Sequence, residues 1–144
     1  MKKKHICVNF PKSKNLGPRD WGKEILLALV PKKYSFKLIE LKKNKKGGLQ
    51  YHHKKNECGY LIKGKLKVIF DNGKGQLKSK ILKVGECFHF PPGSVHQEEA
   101  LLDCQIIEVS TPHFNDRVRV EKRYGIREKT GGLPSTKRNE VRLK

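Results

Sequence analysis

The sequence has no long apolar run, no closely spaced cysteines and few acidic residues. Its longest apolar stretch, residues 25–30, is far shorter than the ~20 residues that a membrane-spanning helix needs. The lysines near the amino terminus are not followed by the apolar region of a signal peptide. These absences predict a cytoplasmic protein that has no membrane partner.

The four cysteines are far apart, at positions 7, 58, 87 and 104. None of them belongs to a Cys-x-x-Cys pair, so neither a disulfide framework nor a four-cysteine zinc site is expected. We expect reduced thiols that are mostly packed.

Acidic residues are scarce. The chain has 14 Asp and Glu and 33 Lys and Arg, which gives a formal net charge of +19. Such a surplus suits an anionic ligand and is also typical of nucleic-acid-binding proteins. Lysines 63, 65 and 67, however, alternate with apolar residues, as on the solvated face of a strand. Arginine is scarce and no aromatic residue lies between these lysines, so the solvated face is favoured over a nucleic-acid surface.

Helical periodicity is absent between residues 34 and 110, where short segments typical of strands alternate with turns. The segments are rich in β-branched or aromatic residues or alternate in polarity, and they cover residues 34–41, 58–62, 66–70, 76–82, 87–90, 95–99 and 105–110. Turn sequences such as Asp71-Asn72-Gly73 separate them. Many strands without crossover helices predict an all-β, antiparallel sandwich or barrel.

We expect a single domain, since a chain of 144 residues suits one hydrophobic core. Residues 18–126 are predicted to form it, after a basic segment at residues 1–17. Residues 25–30 are expected to add a strand or a short helix to the core. Residues 127–144 are rich in charge and glycine, and they are predicted to form a flexible basic tail.

One group of polar residues within the β-rich region suits a metal ion. Gln50 and His52 are two positions apart, so they share one face of a strand, and Glu57 can return to the same point after a short turn. Farther along the chain, a Pro-x-Gly turn precedes His96. Two imidazoles, a carboxylate and an amide oxygen together form a site for a divalent transition metal with open coordination positions.

These polar residues also have a purely structural interpretation. A single histidine in a strand usually packs, but His52 and His96 occur together with a carboxylate, which favours ligation. For Gln50 the two interpretations are evenly balanced, because an amide oxygen is a weak ligand for zinc. We expect His53 and His89 to pack or to lie at the surface.

The segment around His96 resembles a motif of the cupin superfamily. Gly85, Pro91, Gly93 and His96 match Gly-x5-Pro-x-Gly-x2-His in full. This resemblance implies an all-β fold, a small antiparallel jelly-roll barrel.

The segment around His52 resembles the other cupin motif, His-x-His-x4-Glu-x6-Gly. His52, Glu57 and Gly64 match it, and Gln50 stands in place of its first histidine. This arrangement is similar to the metal quartet of phosphomannose isomerases, in particular to the single cupin domain of the type II enzymes. Flanking segments at residues 18–24 and 115–125 resemble the start and end of that domain.

The resemblance implies a metal-dependent aldose–ketose isomerase that acts on a sugar phosphate similar to mannose 6-phosphate. One divalent ion (Zn, Mn, Ni or Fe) would be held by Gln50, His52, Glu57 and His96. A catalytic base must also move a proton between neighbouring carbons. Candidates for this base are Glu99, on the strand of His96, and Lys54, near the barrel mouth.

Three arginines are candidates for binding the phosphate of this anionic sugar substrate. Arg119 occupies the arginine position of the closing motif, and Arg117 or Arg123 would assist it. The planar guanidinium group matches phosphate oxygens in two-point contacts. The structural alternative is an exposed element held by salt bridges.

Two other functions remain open. An imidazole–carboxylate site can also bind ferrous iron, which would suit an iron-dependent cupin dioxygenase. A non-catalytic cupin that binds a sugar or another effector is the third hypothesis. The resemblance further implies a homodimer that pairs through edge strands, with residues 25–30 as the candidate edge.

Overall fold

The computed structural model describes residues 1–127 and 131–136. Within these residues the chain forms eleven strands and one short 3-10 helix, at Glu121–Tyr124. The strands are β1 (Lys14–Arg19), β2 (Gly22–Val30), β3 (Tyr34–Leu41), β4 (Gln50–His52), β5 (Glu57–Lys63), β6 (Lys65–Asp71), β7 (Leu77–Lys83), β8 (Cys87–Phe90), β9 (His96–Ala100), β10 (Cys104–Ser110) and β11 (Arg117–Arg119).

The strands form two antiparallel sheets. The six-stranded sheet has the order β1-β2-β3-β10-β5-β8, and the five-stranded sheet has the order β11-β4-β9-β6-β7. From β3 onward the chain passes from one sheet to the other at nearly every connection, so strands that are distant in sequence become neighbours. This is the predicted all-β jelly-roll architecture, and the fold class is confirmed.

The predicted strands all form. Segments 34–41 and 87–90 coincide with β3 and β8, and each of the other five agrees with a strand to within one residue at either end. Residues 25–30 form a strand, as part of β2. The sequence analysis did not predict β1, because Gly17 and Pro18 within it are unfavourable in strands.

The space between the sheets is apolar at one end and charged at the other. On β3 the inward-facing residues change from Leu41 and Ile39 to Lys37. Paired with it, β10 changes from Ile106 to Glu108 at the same level. The apolar end is the main hydrophobic core, and the charged end is available for a polar site.

The two chain ends differ in their contact with the sheets. Residues 1–13 form no strand and are exposed, and β1 starts within the predicted basic segment 1–17. Within the predicted tail, residues 131–136 lie beside β11, where the Thr136 N–H donates to the Arg117 carbonyl. Residues 128–130 and 137–144 lie outside the described residues. The predicted domain bounds and the flexibility of the tail therefore stay predictions.

Three of the four cysteine thiols are exposed, and Cys104 alone among them is buried. The expectation of mostly packed thiols was therefore wrong. It is correct for Cys104, on the inner face of β10, whereas Cys58 and Cys87 lie on outward-facing strand positions. All four are free thiols. No helix among the described residues has the length and apolar character needed to cross a membrane.

We expect Gly22→Ala to destabilise the fold strongly. Gly22 has φ +152°, and a Cβ atom there would lie 1.8 Å from the Glu40 carbonyl oxygen, which belongs to the backbone of β3. We expect a loss of about 3 kcal/mol in the free energy of unfolding, measured by urea denaturation. The control is Gly73→Ala, where φ is +83° but nothing lies within 4 Å of the added carbon. Its loss should be about 1 kcal/mol, and equal losses for the two variants would contradict the steric explanation.

Candidate metal centre

The charged end of the barrel encloses a cavity of about 230 Å³. Residues from both sheets line it, including Leu16 and Arg19 of β1, together with Trp21 in the turn after β1 and Leu133 from the carboxyl-terminal segment. Most of its lining side chains inside the barrel are ionisable. They are Glu24, Lys37, His52, Lys55, Glu57, His96, Glu98, Glu108 and Arg117.

Two histidines and a glutamate meet within this cavity. The Nε2 atom of His96 lies 3.3 Å from Oε1 of Glu57, and the Nε2 atom of His52 lies 3.6 Å from the same oxygen. All three side chains are buried. Gln50 is the cross-strand partner of His96 and also lines the cavity. The structure thus brings the predicted metal ligands into one cavity.

Hydrogen bonds orient both imidazoles. His52 Nδ1 lies 3.0 Å from a carboxylate oxygen of Asp116, and His96 Nδ1 lies 3.0 Å from the carbonyl oxygen of Ser94. Because both partners are acceptors, each Nδ1 carries the proton. Each Nε2 therefore faces Glu57 and is the available ligand atom, which is the orientation of metal-binding histidines.

The electrostatic surroundings favour the protonation states that bind metal ions. Burial lowers the pKa of His52 below its ordinary value, so the imidazole is neutral at neutral pH. Burial alone would raise the pKa of Glu57, but the charge of the Lys55 ammonium group holds it well below its usual range. The Lys55 Nζ atom lies 2.7 Å from Oε2 of Glu57, which leaves Oε1 facing the imidazoles.

This donor set fits a divalent transition metal. The candidate ligand atoms of His52, Glu57 and His96 all lie within 4.8 Å of one another. Two imidazoles and a carboxylate suit zinc, nickel, manganese or ferrous iron, and they leave further coordination positions for Gln50 or a substrate.

Asp116 supports this group although it is not a ligand candidate itself. Its carboxylate has no exposed surface, and it accepts hydrogen bonds from the backbone N–H groups of Lys54 and Lys55 at 2.6 and 2.9 Å, in addition to its contact with His52. Burial would raise the pKa of Asp116, but these hydrogen bonds lower it below its usual range. The carboxylate therefore stays charged and fixes both the imidazole and the loop that follows β4.

Several ionisable residues deeper in the cavity were missed by the sequence analysis. Lys55 lies between two glutamates, Glu57 and Glu108. The Nζ atom of Lys55 is 2.8 Å from Oε1 of Glu108. Burial and the charge of Glu57 raise the pKa of Glu108 to about 7. Burial, with the charges of Glu108 and Glu57, raises the pKa of Glu98 well above its ordinary value. One buried oxygen of Glu98 has no hydrogen-bond partner among the described residues.

A signal for these residues was present in the sequence. Lys37 and Glu108 occupy the same strand face as the apolar residues Ile39 and Ile106, two positions away. Glu98 likewise shares a face with His96. Charged residues at inward-facing strand positions indicate a polar interior. This criterion would have identified Lys37, Glu98 and Glu108, but not Lys55, which lies between β4 and β5.

The three predicted phosphate-binding arginines have different surroundings. Arg117 is the cross-strand partner of His52, is buried and lines the cavity. Arg119 lies opposite Gln50, but its guanidinium group donates to Glu121 at 2.8 Å and does not line the cavity. Arg123 is exposed and lies over the ring of Tyr51. The structure thus places Arg117, rather than the favoured Arg119, beside the candidate metal ligand His52.

Neither of the predicted catalytic bases faces the cavity that holds the candidate metal ligands. Glu99 is three positions from His96, so it faces the other side of β9, where its carboxylate is 4.0 Å from Lys67. Lys54 is exposed. Neither residue lines the cavity. Their catalytic roles stay predictions.

We expect Asp116→Asn to weaken metal binding by about 10- to 100-fold, the usual effect of removing the partner of a ligating histidine. The substitution keeps the size of the side chain but removes the charge that orients His52. Competition titrations of Zn²⁺ and Ni²⁺ against a chromophoric chelator measure this effect. The control is Asp103→Asn, an exposed carboxylate that accepts the Lys43 N–H away from the cavity. Equal affinities of the two variants would contradict the role assigned to Asp116.

Several solved structures have the same fold. CapF from Staphylococcus aureus, a capsular polysaccharide assembling protein, is 20% identical, and the match covers 74% of this chain and 34% of that chain with a TM-score of 0.65. KdgF from Halomonas sp. is 18% identical over 72% of this chain and 91% of that chain, with a TM-score of 0.62. An oxalate decarboxylase from Bacillus subtilis is 18% identical over 85% of this chain and 38% of that chain, with a TM-score of 0.67. The chain spans about a third of the length of CapF.

No curated protein matches the sequence significantly. A family model described as the cupin domain matches residues 37–109, which include all four predicted metal ligands. That model covers half of the chain, and the two facing sheets agree with it. The chain therefore belongs to the cupin family.

Proposed function

We propose that this cupin is a metal-dependent enzyme that acts on an anionic sugar, and that its reaction is the aldose–ketose isomerisation of a sugar phosphate similar to mannose 6-phosphate. One observation carries the proposal: the candidate ligands His52, Glu57 and His96 share a cavity with the guanidinium group of Arg117. The cavity thus combines a metal-type donor set with a group that binds anions.

Arg117 is available to an anionic substrate. Its guanidinium group donates to the Pro134 carbonyl at 2.9 Å and forms no ion pair with a carboxylate among the described residues. Lys37 and Lys55, by contrast, are already paired, with Glu24 and with Glu57 and Glu108. A phosphate that enters the cavity therefore finds its best partner in Arg117.

The position of Arg117 also orients a bound substrate relative to the candidate metal ligands. Arg117 and His52 are directly opposite on neighbouring strands, where Cβ atoms lie roughly 4.5–5.5 Å apart. An anion held by Arg117 thus brings the neighbouring oxygens of the same molecule toward the metal ligands. The net charge of +19 further attracts anionic substrates, an effect that salt weakens.

A bound divalent metal would supply Lewis-acid polarisation of the carbonyl and hydroxyl oxygens of the sugar. A side chain of the protein must then accept a proton from one carbon and return it to the adjacent carbon. Glu108 suits this task, because it lines the cavity and burial and Glu57 raise its pKa to about 7, near the working pH. It is a better candidate than Glu99 or Lys54, which do not line the cavity. The unpartnered oxygen of Glu98 can accept a hydrogen bond from a sugar hydroxyl.

One structural neighbour supports a carbohydrate substrate, since CapF is described as a capsular polysaccharide assembling protein.

The second candidate function is an iron-dependent dioxygenase, because two histidines and one carboxylate form the ligand set of many non-haem iron oxygenases. A cytoplasmic location stays a prediction for either function.

The proposal is tested with mannose 6-phosphate and the protein loaded separately with Zn²⁺, Ni²⁺, Mn²⁺ or Fe²⁺. An isomerase converts the sugar without oxygen and, in D₂O, incorporates deuterium at the carbon next to the carbonyl, which NMR detects. Glu108→Gln should abolish this incorporation. Turnover that requires oxygen would favour the dioxygenase. Absence of turnover with any of several aldose and ketose phosphates would contradict the isomerase proposal.

We expect Arg117→Met to raise KM for the sugar phosphate by about 10- to 100-fold, because a charged hydrogen-bond donor to the phosphate is lost. Steady-state kinetics measure the effect, and the control is Arg127→Met, which removes an exposed arginine. If Arg119→Met raises KM and Arg117→Met does not, Arg119 binds the phosphate, as the closing motif predicts. The assignment of the phosphate to Arg117 would then be wrong.

A further inference from the structure

The cavity meets solvent beside the carboxyl-terminal segment. Of the described residues that line the cavity, Asn115 and Leu133 are exposed, whereas the others are buried or half-buried. Gly132 lines the cavity next to Leu133. This part of the chain therefore lies at the opening, between the cavity and the solvent. We refer to residues 131–134 as the strap.

The strap is fixed to β11 at its carboxyl end. The Thr136 N–H donates to the Arg117 carbonyl at 2.9 Å, and Thr136 Oγ1 accepts the Arg117 N–H at 3.0 Å. Ser135 Oγ accepts the Arg119 N–H at 2.8 Å. The guanidinium group of Arg119 also donates to the Leu133 carbonyl, at 3.2 Å. Because three of these bonds involve the backbone of a strand, this end of the strap cannot move far from β11.

The other contacts of the strap depend on side chains of its neighbours. The Gly132 N–H donates to the Asp20 carboxylate, whose oxygens lie 3.0 and 3.2 Å away, and Asp20 is exposed in the turn between β1 and β2. The Arg117 guanidinium group donates to the Pro134 carbonyl at 2.9 Å. Leu133 and Pro134 are exposed, so they bury little apolar surface. Few buried contacts favour local opening, and the strap can leave the cavity while the two residues after it stay bonded to β11.

The strap fits closely against the loop that precedes β4. A Cβ atom at Gly131 would lie 2.5 Å from the Lys46 carbonyl oxygen, and one at Gly132 would lie 2.9 Å from the Gly48 backbone nitrogen. Gly132 also has φ +97°, a conformation that favours glycine. Two consecutive glycines thus allow the close approach, and they leave the backbone flexible once the strap has detached.

The strap engages the group that the proposed function assigns to the substrate. The guanidinium group of Arg117, beside His52, is the candidate partner of the phosphate, and in the free protein it donates to the carbonyl of Pro134. A hydrogen bond between two charged groups is shorter and stronger than one to a neutral carbonyl. A phosphate that reaches Arg117 is therefore expected to replace Pro134, whereas the hydroxyl of a neutral sugar has no such advantage.

We propose that the strap closes the cavity in the free protein and that an anionic ligand opens it by taking Arg117 from the Pro134 carbonyl. The strap detaches transiently, and a phosphate on Arg117 stabilises the open form because Pro134 has lost its donor. The strap thereby selects phosphorylated sugars over neutral ones. This inference rests on the proposed function, since that function assigns the phosphate to Arg117.

Amide hydrogen exchange followed by NMR tests the strap, with inorganic phosphate as the probe. We expect phosphate to raise the exchange rate of the Gly132 N–H at least about threefold, because opening breaks its bond to Asp20. Sodium chloride at equal ionic strength and unphosphorylated mannose should have no effect. Arg117→Met should raise the rate without phosphate, since the contact with Pro134 is lost, and should remove the response to phosphate.

A second set of variants opens the strap without changing Arg117. Asp20→Ala removes the acceptor of the Gly132 N–H, and Gly131→Ala places a carbon against the loop before β4. The chain has a single tryptophan, Trp21, which lines the cavity, so quenching of its fluorescence by acrylamide reports the opening. We expect stronger quenching in both variants than in the unmodified chain. The matched control is Asp103→Ala, an exposed carboxylate that accepts one backbone N–H away from the cavity, and it should not change quenching.

The measurements separate a failure of the strap from a failure of the proposed function. Calorimetry in which phosphate binding is weakened by Arg117→Met, together with exchange at Gly132 that phosphate leaves unchanged or slows, would overturn the strap and leave the assignment of Arg117 intact. Phosphate binding that is absent, or equal in the two proteins, would overturn both. Unchanged quenching in both Asp20→Ala and Gly131→Ala would show that the strap does not close the cavity. Phosphate that opens the strap in a protein without isomerase activity would support the strap and contradict the proposed reaction.

Discussion

The buried carboxylate of Asp116 fixes His52 relative to the loop that carries Lys54 and Lys55. One oxygen accepts the Nδ1–H of His52, and the other accepts the backbone N–H groups of Lys54 and Lys55. Lys55 in turn contacts both Glu57 and Glu108. A single buried network thus joins β11, the end of β4, β5 and β10. Because an unpaired buried charge is costly, the loss of one member disturbs all of them.

The apolar core and the charged cavity lie at opposite ends of the barrel. At one end, the inner faces of β3, β5 and β10 contribute Ile39, Leu61 and Ile106 to a closely packed apolar core. At the other end, the same strands contribute Lys37, Glu57 and Glu108 to the cavity. The apolar end stabilises the two sheets, and the rigid strands then position charged groups that would be unfavourable in an isolated hairpin.

Most of the fold and the grouping of the candidate metal ligands could be predicted from the sequence, because both depend on short-range patterns. Alternation of polarity located the strands, and the spacing of His52, Glu57 and His96 placed those side chains on inward faces. The cavity depends instead on which distant strands become neighbours. Lys37 meets Glu108 only because β3 pairs with β10. Arg117 and Arg119 share a strand face, but the guanidinium group of Arg119 contacts Glu121, whereas that of Arg117 lines the cavity.

The proposed chemistry requires His52, Glu57 and His96 to bind a transition metal. Elemental analysis of the purified protein, beside a His52→Ala, His96→Ala double variant with an unchanged circular dichroism spectrum, tests it most directly. We predict about one equivalent of zinc, nickel, manganese or iron in the protein and none in the variant. Absence of metal from both proteins, even after reconstitution with each of these ions, would contradict the account.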